Sequence, residues 1–254
     1  MTPVWQFVRS RTLQPDVPVI TIDGPSGVGK GTLSRLLANE LGWHFLDSGS
    51  LYRLAALAVL RHSIRLNDSE RIADQTRTLD IWFHTDPIGE TRVYLEGQDV
   101  TDAIRSEECG NAASKVAVIP AVRTALLQRQ RDFRRPPGLI ADGRDMGTVV
   151  FPDAELKFFL TATPEKRAFR RYKQLREKGI DANLATLVNE INERDQRDAK
   201  RVVSPLRSAP DAVVLDTSDL TVEDVKARVM MIVNKRIVIG GSGGNRIESN
   251  PTSR

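Results

Sequence analysis

The chain is poor in the residues that would mark it as secreted, metal-bound or membrane-embedded. One cysteine, Cys109, stands among 254 residues. Neither an internal disulfide framework nor a cysteine-rich zinc site can form from it. The three histidines, His44, His62 and His84, do not fall at a ligand spacing. No stretch approaches the roughly 18–20 apolar residues that a bilayer span requires. A strong charge of one sign is also missing: 37 Lys+Arg against 33 Asp+Glu leave +4, too little to argue for a nucleic-acid partner by itself. These absences point to a reducing, cytoplasmic setting without a membrane partner. The length suits one large α/β domain, or one domain with a sizeable insertion.

What is abundant is arginine. The cations divide into 28 Arg and 9 Lys. A guanidinium grips phosphate bidentately and keeps its charge when partly buried. A GC-rich genome produces the same bias, so the excess alone decides nothing. Residues 1–17 carry Arg9 and Arg11 with no acid before Asp16, and the apolar stretch there is too short and broken for a secretory signal. They read as a flexible extension. The Gly/Ser/Asn-rich end reads as a flexible tail over 237–254. The body is then 18–236.

Short apolar runs punctuate that body. Val17 to Ile22 stops at Asp23-Gly24-Pro25, Trp43 to Leu46 at Asp47-Ser48-Gly49, Leu139 to Ala141 at Asp142-Gly143, and Ala212 to Leu215 at Asp216; Leu156 to Leu160 is a further run. Between them apolar residues recur at helical spacing: Leu33, Leu36, Leu37 and Leu41, a helix over about 50–61, and a last helix with Val222, Val225, Val229 and Ile232. Strands alternating with helices predict a five-stranded parallel sheet covered on both faces. One stretch departs from this rhythm. Leu79 to Phe83 and Arg92 to Glu96 read as an antiparallel hairpin joined by a Pro87/Gly89 turn, with Val93 and Leu95 on one face. An inserted α+β subdomain over roughly 64–118 is expected.

The most specific local signal is Gly24-Pro25-Ser26-Gly27-Val28-Gly29-Lys30-Gly31-Thr32, between a strand and a helix. A backbone that wraps a polyphosphate must lack side chains at several positions, so that successive amides and the helix N-terminus face the anion. Lys30 then reaches the outer phosphates, and Thr32 offers a hydroxyl to Mg²⁺, partly through water. Gly31 stands where Ser or Thr usually follows the lysine. The guanine-reading NKxD of regulatory GTPases is missing: Asn234-Lys235 is followed by Arg236-Ile237.

Cations elsewhere sit where a second anionic ligand would need them. Arg53, Arg123 and Arg144 flank turns and strand ends, where ligands bind in open α/β sheets. Arg194, Asp198 and Arg201 share one helix face, behind an anchor of Leu184, Leu187, Val188 and Ile191. A basic helix over about 163–181 brings Arg167, Arg170 and Arg171 within one turn, with Ala168, Phe169, Tyr172 and Leu175 as its packed face. The run from Gln128 to Arg135 is basic too, but no aromatics alternate with it, and it reads as a solvated face.

Three segments, IDGPSGVGKGT at 22–32, DSGSLYR at 47–53 and ADGRDMGTVVFPDA at 141–154, together with the less distinctive ERDQRDAKR at 193–201, resemble the long bacterial form of the cytidylate kinase family over about 18–236. Ser50 and Leu51 depart from that family's usual pair before Tyr52. The resemblance implies a P-loop NTPase fold, with the insertion binding the monophosphate and a short helical lid at 163–181. It implies transfer of the γ-phosphoryl group of ATP to CMP or dCMP with Mg²⁺. Lys30, Arg53, Arg144, Arg167 and Arg171 are the implied catalytic cations, and residues 24–32 the ATP loop. Ser48, Tyr52, Arg53, Ser114, Arg123, Arg144, Asp145, Arg194, Asp198 and Arg201 are the implied CMP contacts, with Ser114, Arg123 and Asp145 reading the base. A monomer acting on small nucleotides, without nucleic acid, follows from the same likeness. Two alternatives stay open on the residues: another P-loop kinase of UMP, AMP or a shikimate-type acceptor, with Asp47 or Asp142 as a base, and a P-loop ATPase acting on nucleic acid.

Overall fold

The computed structural model describes residues 17–85 and 91–237. The expected Pro87/Gly89 turn, the extension through residue 16 and the tail from residue 238 lie outside the described residues. Five strands form the main sheet: β1 (Val19–Asp23), β2 (His44–Asp47), β6 (Leu139–Gly143), β7 (Leu156–Thr161) and β8 (Val213–Asp216). Their order is β2-β6-β1-β7-β8 and every pair is parallel. Alternation in the central strands explains how both faces are buried. Val19, Leu139 and Ala141 enter one apolar cluster, Ile20, Ile22 and Ile140 the other. A strand so placed must be apolar on both sides, which is why these runs lack polar alternation.

One face is covered by α1 (Lys30–Leu41), through Leu33 and Leu37, and by α8 (Val222–Arg236). The buried stripe of α8 is Val225, Val229 and Val233. Val222 is exposed, because a stripe repeating every four residues starts one turn later than the sequence suggests. The other face carries α2 (Ser48–Arg61) and α5 (Pro120–Arg131), together with the insertion. Between them the chain forms α3 (Ser69–Arg77), β3 (Ile81–Thr85), β4 (Thr91–Leu95), β5 (Gln98–Asp99), a short 3₁₀ turn and α4 (Glu107–Val116). The three strands are antiparallel in the order β3-β4-β5. Val93 and Leu95 are buried while Arg92 is exposed, as the alternation requires. The last two helices beside the cleft are α6 (Pro164–Glu177) and α7 (Leu184–Ala199).

Four expectations are corrected. Val17 is buried and its carbonyl accepts from Arg134 Nε at 2.7 Å, so the packed body begins one residue earlier. Ile237 packs against the α8 cluster, so the body also reaches one residue further. The 128–135 run is not simply a solvated face. Arg129 donates to the Leu79 carbonyl at 2.8 Å, Arg131 to Val150 at 3.0 Å, and buried Arg134 pairs with Asp153. In α6 the inward residues are Arg167 and Ala168, while Phe169 is exposed; the glycine loop beside this helix presents carbonyls that need hydrogen-bond donors, and Arg167 supplies one to Ser26.

Candidate active site

Parallel pairing sets the floor of the site. Asp47 lies in register with Asp142, and Asp23 with Gly143. Three strands therefore end at one level, and the glycine loop leaves the middle strand where the chain order changes direction. Gly24 adopts φ +147°, and a Cβ there would sit 2.3 Å from the Leu160 carbonyl oxygen. The loop can approach β7 this closely only without a side chain. It closes on Gly29 at φ +95°, which caps α1 with no side-chain hydrogen bond. No acidic residue occupies the first turn of α1, so no side-chain anion competes for its amides.

Lys30 is buried in this bend. Its Nζ donates to the Pro25 carbonyl at 2.8 Å and stands 4.0 Å from Asp142 Oδ1. Burial, with Arg144 adding repulsion, lowers its pKa to about 7. Burial likewise raises Asp142 to about 7, against the pull of Lys30. Asp23 is buried immediately before the loop. Its carboxylate accepts the Met146 amide at 2.9 Å and the Gly147 amide at 2.8 Å. Burial outweighs these bonds and raises Asp23 to about 6.

A cleft of about 670 Å³ opens above this floor, lined on one side by Ser26 through Thr32 and on the other by the residues singled out for an acceptor. Ser48, Tyr52, Arg53, Ser114, Arg123, Arg144, Asp145, Arg194, Asp198 and Arg201 all line it, as do Arg167 and Arg171. Gly24 and Pro25 do not; they shape the loop from behind.

The side of the cleft opposite the glycine loop is built of paired charges. Arg144 Nε donates to Asp198 Oδ2 at 2.9 Å, and Arg201 pairs with the other oxygen of the same carboxylate. Burial disfavours the Asp198 charge, but Arg144 and Arg201 outweigh it and hold the carboxyl below its ordinary pKa. Arg123 and Asp145 form a second buried pair, and Arg123 also donates to the Ala117 carbonyl at 3.2 Å. The Arg123 guanidinium lies 5.6 Å from the Tyr52 ring centroid. Ser114 accepts from Arg197 Nε at 3.4 Å. Arg53 donates to the Ile104 and Ser106 carbonyls at 2.6 and 3.1 Å, which anchors it to the insertion. Breaking one partner of such a buried pair costs about 3–5 kcal/mol.

Arg167 is buried, and its guanidinium serves Ala162, Ser26 and Asp195 at once. Arg170 reaches the Val28 carbonyl at 3.5 Å and the Thr217 hydroxyl at 3.3 Å. Sequence reasoning missed Asp23, Asp195 and Thr217. Asp23 is the strand residue before the glycine loop, and Asp195 lies inside ERDQRDAKR, so both had a positional signal. Thr217 had none.

Residues 20–235 match the family model described as "Cytidylate kinase". The cytidylate kinase of Aeromonas salmonicida is 56% identical over 220 residues, covering 87% of this chain and 95% of its own length. That of Azotobacter vinelandii is 56% identical over 223 residues, covering 87% and 97%. That of Colwellia psychrerythraea is 52% identical over 225 residues, covering 89% and 100%. With a family model spanning most of its length and relatives this similar, the chain belongs to the cytidylate kinase family.

Proposed function

We propose that the chain transfers the γ-phosphoryl group of ATP to CMP or dCMP, giving ADP and CDP or dCDP. The observation that carries this reading is the single cleft shared by the glycine loop and the acceptor arginines. An acceptor monophosphate brings about two negative charges, and the donor brings more. Phosphoryl transfer is mostly a matter of positioning and electrostatics, so fixed cations must face both. Arg53 and Arg144 clamp the acceptor phosphate, held by the insertion and by Asp198 respectively. Ser48, Arg194 and Asp198 serve the sugar, and Arg201 supports them. The attacking oxygen belongs to an ionised monoester, so no general base is needed.

Lys30 has its charge disfavoured by burial in the absence of nucleotide. The outer phosphates of ATP favour the ammonium form. For Mg²⁺ the fit is with a cation that takes most of its shell from phosphates and water. Among the described residues no three His, Cys, Asp or Glu side chains group as a metal cage, while Thr32 lines the cleft. Thr32 would hold the ion, which neutralises donor charge when bound. Helix α6 acts as the lid and α3 through α4 as the acceptor-binding insertion. A monomer follows only from the family likeness; both nucleotides are cytoplasmic solutes.

Asp145 accepts the cytosine amino group, while Arg123 and Ser114 serve its ring nitrogen and carbonyl. A uracil carbonyl would face the carboxylate unpaired, at about 1–3 kcal/mol. A coupled ADP-release assay with CMP, UMP, AMP and shikimate tests the reading. CMP exceeds UMP in kcat/KM by at least about tenfold, and shikimate gives no turnover. ATP turnover indifferent to the acceptor would refute it.

A further inference from the structure

The α6 arginines face backbone carbonyls of the glycine loop, and that orientation has a geometric consequence. In a trans peptide the carbonyl of one residue and the amide of the next point in opposite directions. Arg167 Nη1 holds the Ser26 carbonyl at 3.1 Å, so the Gly27 amide is turned the other way. The Val28 carbonyl accepts from Thr217 Oγ1 at 3.2 Å, with Arg170 beside it, so the Gly29 amide is turned likewise. These are the amides a donor phosphate needs.

Arg167 has a second commitment. Its guanidinium meets both oxygens of Asp195, at 3.1 and 2.5 Å, and its Nε holds the Ala162 carbonyl at 3.0 Å. Asp195 stands on α7 between Arg194 and Asp198, and Asp198 is the carboxylate that holds Arg144 and Arg201. The side chain of Arg167 is 2% exposed, so its donors are used within the protein rather than offered to solvent. An acceptor nucleotide that pulls on the α7 cluster therefore pulls, through Asp195 and Arg167, on the peptide that fixes the donor loop.

We infer that Arg167 is a positioning residue which, with Asp195, makes donor affinity depend on acceptor occupancy. This rests on the kinase reading above. The pair acts on the Ser26–Gly27 peptide, not on the transferred phosphoryl group. Lysine cannot replace the arginine, because an ammonium cannot span two carbonyls and a carboxylate in one plane. Asp195→Asn removes the charge at nearly constant shape, and Asp195→Glu keeps it.

Calorimetric titration of the full chain with ADP, alone and with saturating CMP, tests the coupling, since ADP and CMP together cannot react. In the wild type, CMP strengthens ADP binding by at least about fivefold, the lower end of ordinary coupling. In Asp195→Asn and Arg167→Lys that factor falls below about twofold, and Asp195→Glu recovers part of it. The Asp195→Asn/Arg167→Lys double variant is no worse than either single variant, as members of one unit require. Thermal melts of each variant confirm that the protein titrated is folded, and CMP affinity alone is recorded in parallel. A coupling factor unchanged in both variants overturns the inference, as does a wild type that binds CMP with no effect on ADP. A wild type that neither binds nor phosphorylates CMP overturns the kinase reading, and the coupling with it.

Discussion

Two glycines of one loop are expected to fail in different ways when a methyl group is added. At Gly24 the added carbon would lie 2.3 Å from the Leu160 oxygen and 3.2 Å from its carbonyl carbon, at φ +147°. Leu160 belongs to β7, which is paired on both sides by β1 and β8 and cannot retreat alone. Backbone strain of about 1–3 kcal/mol is then joined by a clash that the sheet itself must absorb. At Gly29 the conformation is also left-handed, φ +95°, but nothing lies within 4 Å of the added carbon. Strain of about 1–2 kcal/mol is the whole structural cost there. For a chain of this size each kcal/mol moves the melting temperature by about 2–4 °C. Gly29→Ala therefore lowers Tm by about 2–8 °C, and Gly24→Ala by clearly more. Ligand binding should order them differently, because Gly29 lines the cleft and Gly24 does not. The space open beside Gly29 is the space a phosphate would fill, so Gly29→Ala weakens ADP binding by more than about tenfold, a loss of about 1.4 kcal/mol. Scanning calorimetry and an ADP titration on the two variants read both quantities. If Gly24→Ala melts no lower than Gly29→Ala, the close approach of the loop to β7 is not what fixes glycine there.

Two further outcomes follow from the charges. Asp23 is raised by burial to about 6, from 3.8 in an unfolded chain. Its stabilising contribution is complete below the unfolded value and lost as pH climbs through 3.8 to about 6. Wild type should therefore lose about 2 kcal/mol relative to Asp23→Asn between pH 4 and pH 7. Urea melts at both pH values measure it, and a constant difference would show that folding does not shift this carboxyl. Arg171→Ala should lower kcat at least about tenfold, roughly 1.4 kcal/mol of transition-state stabilisation, while moving Tm by less than about 2 °C. A normal kcat would mean that this α6 arginine leaves the transferred group alone.

The fold was legible where burial forces a pattern. Val19 to Ile22, broken only by Thr21, and Leu139 to Ala141 are apolar because they are buried on both faces, and such strands show in sequence as near-continuous runs. The glycine loop was legible because its constraints are local: each required φ or close approach excludes side chains at a definite spacing. The residues proposed for the acceptor were visible from spacing only as scattered side chains, and as a set only through the family resemblance. Their convergence depends on α2, α5, β6 and α7 meeting at one end of the sheet, which no spacing encodes. The α6 face was misread for a related reason. Periodicity assigns Phe169 to the inside and Arg167 to the outside, since it ranks side chains by transfer to an apolar medium. Here the neighbouring surface is the back of the glycine loop. Its Ser26 and Val28 carbonyls are satisfied by side chains, so a hydrogen-bond donor suits the contact, and Arg167 and Thr217 supply it.

The same reasoning gives part of the arginine excess a structural cause. A loop that turns its amides toward a ligand must turn carbonyls inward, and a sheet end crowded with loops leaves more of them unpaired. Arg53, Arg129, Arg131, Arg134, Arg167 and Arg170 each donate to at least one main-chain carbonyl. Arg134 and Arg167 also hold a carboxylate at the same time. Lysine offers a point charge on a flexible stem, whereas a planar fork reaches acceptors on separate elements in one fixed geometry. Phosphate recognition and loop support therefore call for the same side chain, and cations that line the cleft, Arg53, Arg167 and Arg170, are also ones that hold the backbone around it.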